Sequence, residues 1–350
     1  MTHNQPTLTI CLKSYNTRDF VGDAIQSILN QVTSYDYKIL IMEDGSTDGS
    51  IDFLQKFVAA HQDKAQLHIN TKPRGNMTPG ERISENICRA IDLADSDYFC
   101  FLDSDDFYIS TLKFQTQIDI LENEKFRDCS ACVSGYMFTD EEGCLNTCRT
   151  YNAMIPSKRV VQFSAYDFLS AEGYYTFAAF MFRTECLKRA IEKLHTNSFG
   201  VDDVPLVWSA LTEGNVVATP LITFAYRQRH NSLERTKEKV GSHQETSLAL
   251  LMSIVNREYC DRRMKKAFVF NVLWAVYEYI SKKEKFCNGT IQPFISYFRD
   301  IGGGCREFHG LILREDGSVK MPKSFPKRLL RLRRKLVWLK FFVKRNLIYR

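Results

Sequence analysis

The 350-residue chain has no apolar run long enough to cross a bilayer. Its longest mostly apolar stretch, Phe268–Ile280, is interrupted by Asn271 and Glu278 and falls short of the ~20 residues a spanning helix needs. The opening residues Met-Thr-His-Asn-Gln-Pro-Thr show neither a basic n-region nor an apolar h-region, so no signal peptide is expected and the protein is assigned to the cytoplasm. There is no internal repeat and no recognised nucleic-acid module. A disulfide framework is not indicated either: eleven cysteines, odd in number and scattered, read as reduced thiols. The pairs Cys129/Cys132 and Cys144/Cys148 have zinc-like spacing. Yet Ala131–Phe138, an Asp-Glu-Glu-Gly turn at 140–143 and Cys144–Tyr151 read as a β-hairpin with Cys148 roughly opposite Ser134, which argues against structural zinc.

Acidic residues are missing altogether between Lys323 and Arg350, where eleven basic residues gather. Outside that stretch 36 basic residues face 41 acidic ones, so the formal charge of +6 belongs to the tail and the body is near −5. An apolar content of 44% with 25% charge describes an ordinary folded protein, long enough for one large domain with an appendage or for two domains.

The most informative stretch is Tyr98-Phe-Cys-Phe-Leu-Asp103-Ser104-Asp105-Asp106. It reads as a buried strand delivering Asp103 and Asp105 to the carboxyl edge of a sheet. Carboxylates so close repel, and their pKa values rise unless a positive charge sits between them. A hard divalent cation is the usual remedy, because it takes oxygen ligands and bridges to a substrate phosphate. A strand end followed by an Asp-rich turn and helix cap is the plainer alternative.

The neighbouring pattern favours a site. Thr7–Leu12 is a strand broken by Ser14-Tyr15-Asn16-Thr17. Apolar residues from Phe20 to Val32 then recur at helical spacing, with Asp19 as the expected cap. Tyr37–Met42 is a second strand, ending in Glu43-Asp44-Gly45-Ser46-Thr47-Asp48-Gly49 before a helix around Ile51–Ala60. Leu67–Ile69 is a third strand, and a helix over Glu81–Ala94 precedes the fourth. Alternating strands and helices predict a parallel α/β sheet whose site lies at the strands' carboxyl ends, where clusters 14–17, 43–48 and 103–106 all fall. A mixed region over about 160–235 includes a strand at Val216–Tyr226, and the chain beyond Gly241 reads as helical.

Order and spacing of four motifs resemble the family 2 glycosyltransferases of the GT-A fold, over roughly residues 7–235. They are the strand ending in Tyr15-Asn16, the Ser27-Ile28-Leu29-Asn30-Gln31 signature, the Glu43–Asp48 turn, and the Asp103-Ser104-Asp105 motif behind a Tyr-led apolar strand. The resemblance implies an α/β, Rossmann-like nucleotide-diphospho-sugar transferase fold. It implies a catalytic domain over 1–235, with a nucleotide-sugar half over about 1–106 and an acceptor half over about 107–235. A helical extension over 236–320 and a basic amphipathic tail over 321–350 complete the expected organisation.

The resemblance also implies roles. Tyr15 would stack on the base and Asp44 would accept its ring N–H, favouring uracil. Asn16, Glu43, Asn76 and Ser104 join the nucleotide-binding set. Asp103 and Asp105, with His230 completing the shell, would hold Mg²⁺ or Mn²⁺ against the diphosphate, and Arg227 and Arg229 would contact that diphosphate. Asp203 would be the general base of an inverting displacement, with Asp202 the next candidate. An acidic pair with Pro205 is also what an ordinary helix N-terminus prefers. The chain departs from the family pattern at Lys13 (commonly Pro), at Glu43 (commonly Asp) and at Glu85 (often Arg). Because of the last, a diphosphate contact would have to come from Arg74, Arg82 or Arg89.

Leu329, Leu332, Leu336, Leu339, Val343 and Leu347 share one face of a tail helix amid basic residues, the pattern of an anionic-membrane anchor. Nucleic-acid binding is the competing explanation, on which the leucine stripe would be wasted. The expected protein is a peripheral enzyme of the inner membrane face, transferring sugar from a UDP-sugar to a glycan or lipid-linked acceptor in surface polysaccharide synthesis. A Mg²⁺-dependent phosphatase of the haloacid-dehalogenase type is the rival enzyme. It would make Asp103 a phosphorylated nucleophile, but it leaves the Tyr15-Asn16 and Glu43–Ser46 turns unexplained.

Overall fold

The computed structural model describes residues 7–72, 79–151, 159–164, 176–194, 203–230, 312–313 and 319–320. The first four strands are β1 (Leu8–Ser14), β2 (Tyr37–Glu43), β3 (Ala65–Ile69) and β4 (Tyr98–Asp103). Helices α1 (Val21–Leu29), α2 (Ser50–Ala60) and α3 (Pro79–Asp92) connect them. β1 pairs in parallel with β2 on one side and with β4 on the other, and β3 extends the sheet beyond β2. The order β3-β2-β1-β4 reverses direction of winding at β1 and β4, so a crevice opens at their carboxyl ends. β1 and β4 are buried along nearly their whole length. Strands covered on both faces need continuous apolar sequence rather than alternation, and Leu8–Leu12 and Tyr98–Leu102 supply it.

Helix α1 buries Val21, Ala24, Ile25 and Ile28, the stripe read from the sequence. The expected Asp19 cap is not used. The helix begins after Phe20, whose backbone N–H, like that of Val21, donates to Thr17 O, so the loop's own carbonyl replaces a side-chain cap.

The sheet continues through β9 (Phe180–Arg183), β6 (Cys129–Thr139), β10 (Asn215–Arg227) and β5 (Phe107–Tyr108), with β7 (Leu145–Tyr151) on β6 and β8 (Val161–Phe163) on β10. α4 (Lys113–Glu122), α5 (Thr184–Leu194) and α6 (Asp203–Leu211) complete the described helices. β10 runs parallel to β6 and shifts register between Ala218 and Ile222, which lets Pro220 sit in a long strand without breaking a ladder. An aromatic seam crosses the core beneath the crevice: Phe101 stacks on Phe177 at 4.2 Å and Phe180 on Phe182 at 5.0 Å. Such pairs add about 0.5–1.5 kcal/mol each beyond their buried area.

The hairpin of β6 and β7 is present, but the placement of Cys148 opposite Ser134 is not. Register shifts between Met137 and Phe138: Phe138 pairs with Asn146, while Met137 pairs with Thr150. The bulge absorbs Cys148 beside the Met137–Phe138 step. Cys129 and Cys132 are buried free thiols and Cys144 is exposed.

By its contacts the chain divides into two units. The first comprises Met1–Ala165, Tyr175–His195 and Gly200–Arg229; the second comprises Tyr166–Tyr174, Thr196–Phe199 and His230–Arg350. Within the second, Ile312–Leu313 and Val319–Lys320 form a two-stranded antiparallel ribbon. The rest of the expected extension over 236–320 and the tail over 321–350 lie outside the described residues. Among the described residues no helix is long and apolar enough to cross a membrane.

Candidate functional site

The three polar clusters meet where the strands end. Asn16 takes a positive φ of 47°, a conformation that Asn tolerates better than most residues. Its backbone N–H donates to Ser46 Oγ at 2.8 Å, and its Oδ1 accepts from Thr47 N at 2.9 Å. Next along the chain, Thr17 N donates to Ser50 Oγ and Arg18 N to Asp48 Oδ2. Thr17 Oγ1 also lies 2.6 Å from Ser104 Oγ, joining the β1 loop to the third cluster. Every link satisfies a loop polar group that would otherwise need water, so one rim is laced from three separate segments.

Glu43 is fully buried and spends its carboxylate on that rim, accepting from Gly45 N at 2.7 Å, Ser46 N at 3.0 Å and the Ser46 hydroxyl. Gly45 and Gly49 adopt φ of 75° and 90°, which a side chain would strain. Asp44 is held from behind. Arg82, only 1% exposed, donates from Nε to Asp44 Oδ1 at 2.8 Å, and Asn86 Nδ2 reaches the same oxygen at 3.3 Å. Arg82 further donates to Lys72 O and Asp44 O, which fixes the end of β2 against α3. Of the arginines considered for a diphosphate, Arg82 therefore faces Asp44, Arg89 lies 3.5 Å from His68 Nδ1, and Arg74 falls outside the described residues. Tyr15 stands at the rim with 39% of its surface exposed.

Asp103 and Asp105 share the crevice floor, each beside a cation. Lys13 Nζ is 2.9 Å from Asp103 Oδ1, and Arg229 Nε is 2.9 Å from Asp105 Oδ2. Burial first, and then the charge of Asp103, push the Asp105 carboxyl pKa up, while Arg229 and Lys13 oppose the shift. Asp106 is buried and shifted further upward by the same two kinds of cause, burial and the charges of Asp105 and Asp103. Asp106 Oδ1 accepts from Arg227 N at 2.8 Å. Hard oxygen donors crowded in this way suit a divalent cation. Among the described residues no group of three or more His, Cys, Asp or Glu gathers to hold one. Such an ion would thus need further oxygens from a bound phosphate group or water.

Arg227 is tied to the backbone and side chains around the carboxylates. It is 4% exposed, with Nε on Asp105 O at 2.8 Å, Nη1 on Glu141 O at 2.7 Å and Nη2 on Asp23 Oδ2 at 2.7 Å. Its guanidinium lies 4.9 Å from the Phe20 ring and 5.2 Å from that of Phe107. Ser104 is likewise turned inward to Thr17. Asp203 is the first residue of α6, as the sequence placed it. Asp202 and Asn76 lie outside the described residues, and His230 is exposed and assigned to the second unit. Lys13, Arg82 and Asn86 support the acidic residues from outside the motifs that announce the site. In-register pairing of Lys13 with Asp103 follows once β1 and β4 are recognised as neighbours. Arg82 joins Asp44 across 38 residues, which no local pattern reports.

Residues 9–143 match the profile of glycosyl transferase family 2. A Bacillus subtilis (strain 168) glycosyltransferase assigned to teichuronic acid biosynthesis, TuaG, is 28% identical over 143 residues, 41% of this chain and 52% of that protein. The Escherichia coli UDP-Glc:alpha-D-GlcNAc-diphosphoundecaprenol beta-1,3-glucosyltransferase WfaP is 31% identical over 118 residues, 34% of this chain and 42% of that one. The chain thus spans about half the length of these curated relatives or less. Among solved structures, S. aureus TarS 1-349 in complex with UDP-GlcNAc superposes with a TM-score of 0.63 at 12% identity, covering 97% of this chain and 91% of that one. The Pyrobaculum calidifontis mannosyltransferase PcManGT in complex with GDP-Man and Mn²⁺ gives 0.50 at 12% identity over 99% and 89%. The laced rim, the switch-point crevice and the Asp103/Asp105 pair all lie within the matched segment. Residues 9–143 thus resemble glycosyl transferase family 2, and the chain is built on the GT-A fold of the glycosyltransferase structures it superposes on.

Proposed function

We propose that the protein transfers a sugar from a uridine diphosphate-linked donor to a glycan or lipid-linked acceptor in surface polysaccharide assembly, with inversion at the anomeric carbon. The observation that carries this reading is the lacing of loops 14–17, 43–50 and 103–106 at the carboxyl ends of β1, β2 and β4. It forms a rigid cleft at the switch point, where α/β sheets bind nucleotides. Tyr15 offers an exposed ring for the base to stack on. Asp44, oriented by Arg82 and Asn86, accepts the N–H of a uracil ring, and Asn16 borders the same ribonucleotide.

Asp103 and Asp105 would hold Mg²⁺ or Mn²⁺, which when bound neutralises charge on the departing diphosphate. Arg229 adds positive charge beside Asp105. Asp203 takes the proton from the acceptor hydroxyl as that oxygen attacks the anomeric carbon, the bond to the diphosphate breaks, and the nucleoside diphosphate leaves from the opposite face. Asp202 stands next to it as a secondary acidic group. The support for a uridine donor comes from the uracil-type partners on the rim, from a relative named for a UDP-Glc donor and from a structural neighbour bound to UDP-GlcNAc. The tail over 323–350 provides attachment to an anionic membrane, where a lipid-linked acceptor resides.

Calorimetric titration with UDP, with and without Mn²⁺, tests the donor assignment on the wild type and on the Asp103→Ala/Asp105→Ala double variant. Mn²⁺-dependent UDP binding that the double variant loses is expected. Binding of GDP in preference to UDP, or no nucleotide binding under any metal condition, refutes the assignment.

A further inference from the structure

We propose that Lys13 is a resident counter-ion of Asp103 that sets how readily the donor site takes up a divalent cation. The inference rests on the reading of Asp103 and Asp105 as the cation-holding pair. Lys13 is the residue of β1 that pairs in register with Asp103 of β4. Its backbone is fixed at the same step, because Ser104 N donates to Lys13 O at 2.9 Å. Nζ lies 2.9 Å from Asp103 Oδ1, and the side chain is only 19% exposed. The Phe177 ring, 5.1 Å from Nζ to its centroid, walls the ammonium in on another side. The charge is thus aimed at Asp103 by the sheet itself rather than brought there by a flexible surface side chain.

The consequence is competition. A cation approaching Asp103 meets an ammonium already on that carboxylate, and must share or displace it against Coulomb repulsion. Arg229 makes the matching pair with Asp105, so both carboxylates are balanced before any ligand arrives. A nucleoside diphosphate changes the balance, because its negative charge gives the Lys13 ammonium a second anionic partner. Cation and diphosphate therefore enter together, each strengthening the other's binding, and the cation alone binds weakly. An uncharged residue at position 13 would weaken this coupling to what direct coordination by the diphosphate supplies, and leave the carboxylate pair more open to free cation.

Direct Mn²⁺ binding to the full chain, followed by electron paramagnetic resonance of the free ion, tests this without any turnover. Wild type, Lys13→Met, Lys13→Gln and Lys13→Arg are titrated with Mn²⁺ alone and again with UDP present, and the melting temperature of each is recorded without metal. Removing one positive charge a few ångströms from a divalent ion should tighten Mn²⁺ binding about ten- to thirtyfold in Lys13→Met and Lys13→Gln without nucleotide. Lys13→Arg should return to the weak wild-type value, and the gain from UDP should shrink in the two neutral variants. The neutral variants should also melt lower without metal and recover when Mn²⁺ is added. Equal Mn²⁺ affinity in wild type and in a folded neutral variant, with UDP-dependent Mn²⁺ uptake intact in both, overturns the role of Lys13 and leaves the metal reading standing. Absence of Mn²⁺ binding in every protein, with or without UDP, overturns both. Should Lys13→Met fail to fold, the same comparison is read from Lys13→Gln.

Discussion

Lys113 offers a sharp test of how the core beneath the site is balanced. It opens α4 with no surface exposed, donates to Gln117 Oε1 and lies 5.4 Å from the Tyr108 ring centroid. Burial pulls its pKa from 10.5 down to about 8, with the Cys100 and Cys132 thiols opposing the shift. A charge whose folded pKa is depressed destabilises the fold wherever both states are protonated. At pH 7 that penalty is about 3 kcal/mol. As pH rises from 8 towards 10.5 the folded chain has released the proton while the unfolded chain still binds it, so the penalty fades and stability rises.

Lys113→Met removes the charge but strips Gln117 Oε1 of its donor, at a cost of about 1–3 kcal/mol. The variant should therefore be as stable as wild type at pH 7, or up to about 2 kcal/mol more so. That relative advantage should shrink by about 2.5 kcal/mol between pH 7 and pH 10. Buried Cys and Tyr groups titrate in the opposite sense in the same range, but they are common to both proteins and cancel in the difference. Urea midpoints at pH 7, 8.5 and 10, read by far-ultraviolet circular dichroism, give the comparison. A difference between the two proteins that does not change with pH would refute the claim that the ammonium is buried at a cost.

Arg82→Met should leave Asp44 without its guanidinium, costing about 3–5 kcal/mol of stability. Calorimetry on the folded fraction should show UDP binding weakened at least tenfold, and full-strength binding would remove Arg82 from the rim's support. Asp203→Asn should cut transfer about 10²–10⁴-fold while UDP affinity stays within twofold of wild type, as expected of a general base. A loss of UDP binding instead would place Asp203 in donor binding. The full chain should co-sediment with vesicles containing phosphatidylserine and not with neutral ones. Replacing Arg331, Arg333, Arg334 and Lys335 with Gln should weaken that binding about a thousandfold, given about 1 kcal/mol per basic residue. Equal sedimentation of both proteins with both kinds of vesicle would end the anchor assignment.

The half of the sheet that carries the crevice was legible because its signals are local. Continuous apolar runs announced β1 and β4, and a turn of Glu, Asp and Gly announced the end of β2. What stayed hidden was decided across distance. Nothing near Lys113 in sequence tells that a lysine at the start of a helix lies fully inside. Arg227 was singled out by the resemblance of its loop to the family's diphosphate-contacting loop, and no local pattern tells that Asp23, 204 residues earlier, takes its Nη2. Cys148 was misplaced by counting outward from the turn, which assumes an unbroken ladder, and a bulge breaks it. Lys13 was visible as a departure from the family pattern. Its meaning needed the register that sets it beside Asp103.

Strand order also has a bearing on synthesis. β4 is complete by Asp103, but its outer edge is covered only by β9, which begins at Phe180. At the usual pace of translation, about 5–20 residues per second, the nascent chain carries that uncovered apolar strand for about 4–15 s. An unpaired edge of Tyr-Phe-Cys-Phe-Leu is the kind of segment that other chains pair with. Yield of soluble protein should therefore respond to chaperone supply and growth temperature more than the finished molecule's stability would suggest. The exposure lies in the wait for a partner strand encoded roughly eighty residues downstream.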